Sequence, residues 1–488
     1  MPSNTHLLTA QQSPDLSDWL EPTPYQEPEN PLYRGNPLIE ALPQLWSVQE
    51  VINLLKAYPD IDPTHRTFSE EVRLDMIENV AQVFMPLNEH ITLQRRFSRA
   101  IRGGYVGRNL FDIPTVKKTE DRLKAEPASP KKKGRALARG FYIIGMSGMG
   151  KTTSTEAILD LYPQIIWHRE YKGQPMMRVQ LPWFKLECPH DGSTRSLCFT
   201  FFALLDQLLG TNYYAAYAKN GQATVAKMQI YIAFLCELLN IGLLVIDEIQ
   251  HLNQAKSGGA KAMLNFFVSL SNAIRIPVVL IGTYHAFDIF TGEFRQMRRG
   301  TRQGNFIWKR MKQDDPSWAA LLKGIWPYQY VRQPAELTAE LNGALYYVTQ
   351  GITDLLITVF ILAQERAIIS GIETLTADII YSVAADSMEI AYQPLEDMRQ
   401  NAVSLQAYDD VLPPLEWQNA YVHQPQASSQ GQSPVQVTDP TPQVVLSDQD
   451  LRQNLREDDA VGTYQALKAS DNIVHALDYV PSFKEAPC

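Results

Sequence analysis

The chain has 488 residues, 45% of them hydrophobic and 20% charged, with a formal net charge of −9. That length admits about two to four domains and a substantial core, and the composition excludes a disordered or fibrous chain. The acidic balance argues against a general nucleic-acid coat, so any DNA contact has to come from a local basic stripe.

Four cysteines (Cys188, Cys198, Cys236 and Cys488) in a chain this long point to a reducing compartment, hence a cytoplasmic location, and to no disulfide scaffold. Cys188-Pro189-His190 with Cys198 matches no standard zinc spacing. The N-terminus has no basic region followed by an apolar one, so no signal peptide is expected. No run of about eighteen uncharged apolar residues exists, so no membrane partner is expected.

In chain order, residues 1–60 read as a proline-rich arm, with eight prolines before residue 46. Within it, Tyr33 to Pro43 is less polar and suited to docking on a partner or on the chain's own body. Residues 61–130 read as a helical region and a basic linker. Ser69-Glu70-Glu71-Val72 starts a helical pattern over 68–102, with Leu74, Ile77, Val80, Val83 and Phe84 on one face. Residues 117–139 hold nine Lys or Arg against three acids, including Lys131, Lys132 and Lys133.

Residues 131–333 alternate strand and helix, the pattern of a parallel sheet with crossover helices. Candidate strands are 141–145, 177–181, 242–247 and 277–282; 197–210 and 223–239 read as amphipathic helices. The first strand runs into Gly145-Met146-Ser147-Gly148-Met149-Gly150-Lys151-Thr152, with Thr153 opening a helix. This is the P-loop pattern. Backbone N–H groups of such a loop wrap phosphates, and the helix N-terminus adds positive dipole. Lys151 is placed to reach the β- and γ-phosphates of ATP, and the Thr152 hydroxyl to bind Mg²⁺. The apolar strand ending at Asp247-Glu248 supplies the second half: Asp247 to hold Mg²⁺ through water, Glu248 to polarise the attacking water. Ligands in open α/β sheets sit beyond the carboxyl ends of the strands, so both motifs belong on one edge.

Residues 334–405 lose the strand pattern; 336–349, 351–370 and 375–391 have helical periodicity, giving a small all-helical lid. Residues 406–488 read as a flexible linker and a partner-binding tail, 423–446 containing no Lys, Arg or Glu. The expected fold is therefore α/β: a P-loop parallel sheet with flanking helices, followed by the helical lid, an order that resembles the AAA+ ATPases. Thr283, at the end of the 277–282 strand, stands where AAA+ ATPases sense the γ-phosphate. Residues 294–312 carry seven basic residues and no acid. Arg298 and Arg299, with Arg295 behind them, are the candidates for an arginine offered to a neighbouring subunit's nucleotide, where it stabilises charge on the γ-phosphate.

From about Tyr33 to about Leu405 the chain resembles the TnsC/TniB group of AAA+ transposition regulators of bacterial transposons, some guided by CRISPR RNA. The resemblance rests on Asn36 to Pro43, Ile101-Arg102-Gly103-Gly104-Tyr105 with Arg108-Asn109, and the P-loop. It continues through Cys188-Pro189-His190-Asp191-Gly192-Ser193, Asp247 to Leu252, Gly282-Thr283 and Arg298-Arg299. It implies ATP-dependent, head-to-tail homo-oligomers (rings or helical filaments) on double-stranded DNA. A TniQ/TnsD-type target selector positions such an assembly, and a TnsA/TnsB-type transposase docks on it. The family's duplex-facing position falls here on Arg195, with Ser193 and Thr194 beside it and Lys219 a weaker candidate. In one respect the chain departs from AAA+ lids: Asp354 stands where many carry an arginine that contacts the γ-phosphate, which implies slow turnover. An AAA+ helicase loader and a protein-only P-loop switch are the alternative readings.

Overall fold

The computed structural model describes residues 23–111, 140–218, 223–254, 266, 276–284, 304–387, 395–396 and 398–399. All lie within the unit Met1–Val422. In the N-terminal part come α1 (Pro37–Glu40), α2 (Val48–Leu55), α3 (Glu70–Met76), a 3-10 turn at Ile77–Gln82, and α4 (Asn88–Tyr105). The single helical pattern expected over 68–102 is thus broken. Val83 turns extended and Ala57 pairs with Phe84 as an isolated β-bridge, so the chain cannot continue the helix there.

The segment expected to dock on a partner or on the chain itself is packed into the chain's own core, where Leu38, Ile39 and Leu42 are buried. Residues 31–55 are therefore not a free arm. Two strings that carry the family resemblance meet here. The Asn36 amide donates to the Tyr105 carbonyl at 3.0 Å, and the Asn109 amide to the Gly35 carbonyl at 2.8 Å. Arg108 extends the tie to the Ile241 carbonyl at 2.6 Å. Every buried backbone carbonyl needs a donor, and these side chains supply it where no ladder reaches.

The core sheet is fully parallel in the order β4-β5-β6-β1-β7. Its strands are β1 (Phe141–Gly145), β4 (Phe184–Glu187), β5 (Leu244–Asp247), β6 (Val278–Gly282) and β7 (Asn305–Trp308). All five residues of β1 are buried, as befits a central strand covered on both faces. β2 (Ile166–Tyr171) and β3 (Gln174–Gln180) form a separate antiparallel hairpin. The expected strand 177–181 is thus in the hairpin, and the sheet position goes to β4. That strand is only four residues long, with Phe184 and Leu186 as its buried pair, too short a signal for periodicity to find. β7 went unseen for another reason: its buried Phe306 and Trp308 sit inside a basic run.

The crossovers are α5 (Lys151–Leu159), α6 (Thr194–Leu209), α7 (Tyr213–Tyr217) and α8 (Val225–Leu238). After the sheet come α9 (Pro316–Ile325), α10 (Ala339–Thr349), α11 (Thr353–Ile369) and α12 (Ala377–Ser387). The last three pack on one another, and α11 also packs on α3 and the 77–82 turn. Lid-like helices and N-terminal segment are thereby joined. Among the described residues no helix is long and apolar enough to cross a membrane.

Candidate active site

β1 delivers the phosphate loop to the carboxyl edge of the sheet, and its terminal glycine is fixed by packing. A Cβ on Gly145 would lie 2.6 Å from the Trp308 carbonyl oxygen on β7. Gly148 and Gly150 adopt φ of +72° and +81°, a left-handed backbone that favours glycine. Lys151 opens α5, is 8% exposed, and donates from Nζ to the Met146 carbonyl at 2.6 Å. Met149 is buried with Met146, whereas Ser147 and Thr153 are exposed.

β5 brings Asp247 to the same edge. Its Oδ2 accepts from the Thr152 hydroxyl at 2.9 Å, and its Oδ1 from the Glu248 backbone N–H at 2.8 Å. Asp247 is 1% exposed. A hydroxyl and a carboxylate in contact are hard oxygen donors, the set that suits Mg²⁺ rather than a softer metal. Glu248 follows in a left-handed backbone, φ +58°. Its side chain folds over the next turn, where Gln250 Nε2 donates to Oε2 and His251 Nε2 lies 3.8 Å away.

Gln250 also reaches β6: its Oε1 accepts from the Thr283 N–H at 3.2 Å. One carboxamide thus ties Glu248 to Thr283. Motif spacing did not single out Gln250, because the tie depends on the left-handed turn at Glu248. The start of α11 lies against the loop as well, with the Asp354 N–H donating to the Gly148 carbonyl at 2.9 Å. The acid at the position of the expected lid arginine is therefore next to the phosphate loop. On the other side of α5, His90 Nε2 meets Ser154 Oγ at 3.0 Å.

The candidate DNA-facing residues stand at the start of α6. The Ser193 hydroxyl accepts from the Ser196 N–H at 3.3 Å and caps the helix. Thr194 is its first residue, and the Arg195 guanidinium lies 5.2 Å from the Phe199 ring centroid. Asp191 is already at this helix start, accepting from the Ser193 N–H at 2.9 Å and the Ser196 hydroxyl at 2.8 Å. Lys219, Arg295, Arg298 and Arg299 lie outside the described residues. So the structure gathers Lys151, Thr152, Asp247, Glu248 and Thr283 on one edge and Ser193, Thr194 and Arg195 on one helix start. Burial pushes the thiols of Cys188, Cys198 and Cys236 up to about 12, which keeps them protonated. Among the described residues no group of three or more His, Cys, Asp or Glu could hold a metal.

Residues 136–290 match the family model described as an AAA domain. The core carries the AAA+ P-loop fold. No curated protein matches the chain. Among solved structures, the chain is similar to the ORC2 protein of Aeropyrum pernix (13% identity, 57% of this chain and 70% of that one covered, TM-score 0.35). It is also similar to a Walker-type ATPase of Pyrococcus abyssi (14% identity, 59% and 74% covered, TM-score 0.36) and to Drosophila ORC bound to DNA (13% identity, 75% and 81% covered, TM-score 0.35). At such scores none of these likenesses bears on what this chain does.

Proposed function

We propose that the chain is an ATP-dependent regulator that oligomerises on double-stranded DNA and links a TniQ/TnsD-type target selector to a TnsA/TnsB-type transposase. The observation that carries the ATP half is the contact of Thr152 with Asp247 beside the loop that holds Lys151, within a segment that matches an AAA domain. The transposition half is supported by the resemblance to TnsC/TniB proteins, in strings from Asn36 to Pro43 and through Asp247 to Leu252.

On this reading the loop N–H groups and Lys151 hold the triphosphate, and Thr152 with Asp247 hold Mg²⁺. The metal, when bound, neutralises charge on the phosphate oxygens. Glu248 accepts a proton from the attacking water, and Thr283 contacts the γ-phosphate. Arg298 or Arg299 of a neighbouring subunit completes the pocket. Asp354 against the loop supplies no positive charge, so turnover is slow and regulatory, strengthened by DNA or partners. Arg195, with Ser193 and Thr194, and Lys219 meet the duplex through its phosphates and read no bases.

Electron microscopy of the full chain with duplex DNA and a non-hydrolysable ATP analogue tests this. Rings or helical filaments around DNA are expected, and only with nucleotide. Protein that stays unassembled under every nucleotide and salt condition overturns the proposal.

A further inference from the structure

A cation stands beside Asp247 that the mechanism above does not use. Lys185 lies on β4 in register with Val245, two residues before Asp247, so both side chains share one sheet face. Its ammonium is 2.5 Å from Glu156 Oε1 on α5 and 3.5 Å from Asp247 Oδ2. That same oxygen accepts the Thr152 hydroxyl. The Lys185 side chain is 12% exposed and that of Asp247 2%, whereas Glu156 is 52% exposed.

We propose that Lys185 is a resident counter-ion of Asp247 that sets how weakly the site holds Mg²⁺, with Glu156 as the arm that draws the ammonium aside. The inference rests on the nucleotide reading above and adds a residue to it. A buried carboxylate needs a positive partner, and Lys185 provides one whether or not a divalent ion is bound. A cation held at Thr152 and Asp247 then has a fixed positive charge for a neighbour, in surroundings where screening by salt is weak. Glu156 offsets this by sharing the ammonium. The site should thus bind nucleotide with a high Mg²⁺ requirement, set by one lysine and one half-exposed acid. Lys185 is a positioning residue: its contacts are with Asp247 and Glu156.

The test is calorimetric titration of ADP into the full chain over a series of MgCl₂ concentrations, a binding readout that needs no turnover. Lys185→Met should lower the half-saturating Mg²⁺ concentration by about tenfold, the order expected for removing one charge a few ångströms from a divalent ion in a partly screened site. Lys185→Arg keeps the charge and should stay within about twofold of the wild type. Glu156→Gln should move the requirement the opposite way, upward. This variant carries the test if Lys185→Met fails to fold. An unchanged or raised requirement in Lys185→Met, or an unchanged or lowered one in Glu156→Gln, overturns the inference while leaving the nucleotide reading intact. Wild-type protein that binds no ADP at any Mg²⁺ concentration overturns both.

Discussion

Two buried polar clusters use similar side chains to different ends. Between the N-terminal segment and the helical region, Arg73 meets Glu373 through two parallel bonds of 2.7 Å. Its remaining donors reach the Tyr330 carbonyl at 3.1 Å and the Phe68 carbonyl at 3.3 Å. Hydrogen bonds from Arg73 hold the Glu373 carboxyl below the usual carboxylate range. At the sheet edge, Lys151 instead donates to its own loop, and Asp247 divides one oxygen between Thr152 and Lys185. The first cluster is closed by the two-bonded fork between Arg73 and Glu373, whose carboxylate also accepts from the Arg332 N–H at 3.1 Å. The second consists of single contacts between groups whose chemistry suits phosphate and a hard cation. Polar burial alone does not mark a site; exchangeable partners do.

The sharpest way to break this comparison is to remove one cation from each cluster. Lys151→Ala should weaken nucleotide binding by at least about a hundredfold, roughly 2.7 kcal/mol, and leave a cooperative unfolding transition. Calorimetric titration and thermal melting read the two quantities. Arg73→Ala should do the reverse. It removes the main partner of Glu373 and leaves only the Arg332 contacts, at a cost of about 1.5–3 kcal/mol of stability, while nucleotide affinity of the folded protein at low temperature stays within about threefold. If Arg73→Ala instead abolishes binding at full stability, the two clusters are one functional unit.

A third prediction concerns pH. His90 Nδ1 accepts from the Leu87 N–H at 2.7 Å, so the ring is neutral and Nε2 carries the proton shared with Ser154. Rings of Phe84 and Trp308 flank it. Burial pulls its pKa from 6.5 down to about 4. The unfolded chain therefore binds the proton more readily than the fold between those values. The stability His90 protects is intact above about pH 6.5 and is lost progressively as pH falls towards about 4, by on the order of 2–3 kcal/mol. His90→Gln should flatten that part of the curve, measured by urea unfolding at stepped pH. A curve of unchanged shape would assign the loss to other groups.

How much of this was legible follows from how local each feature is. The phosphate loop was readable because its function lies in consecutive backbone N–H groups and two glycines with φ of +72° and +81°. Asp247 and Thr283 were readable because each ends an apolar strand. The Arg73–Glu373 joint was not, since its partners are 300 residues apart and neither stands in a motif. Neither was the Gln250 tie, which exists only because Glu248 takes a left-handed backbone. Lys185 was hidden by the brevity of β4: until that strand is placed beside β5, nothing brings its side chain to Asp247. The N-terminal segment, expected to dock on a partner or on the chain's own body, does the latter. Pro37 opens α1 behind an Asn36 cap, a position where proline favours a helix.

The smallest expected effect belongs to the other candidate surface, the start of α6. There the contrast with the phosphate loop is one of charge. On the proposed function the loop offers N–H groups to a triphosphate, whereas this helix start already holds the Asp191 carboxylate on Ser193 and Ser196. Those residues are partly spent on a resident anion, so on the proposed function a DNA phosphate would gain most from Arg195, whose guanidinium lies near Phe199 one turn along. One phosphate contact per subunit is modest. Arg195→Ala should weaken duplex binding only several-fold per subunit, equally for all sequences, and reduce the slope of log affinity against log salt by about 1. Because a repeating assembly multiplies each contact, the loss should be larger on long duplexes than on short ones. An unchanged salt slope at every length would move the duplex away from α6, and among the described residues the sheet edge would then be the one surface to which the proposed function assigns a ligand.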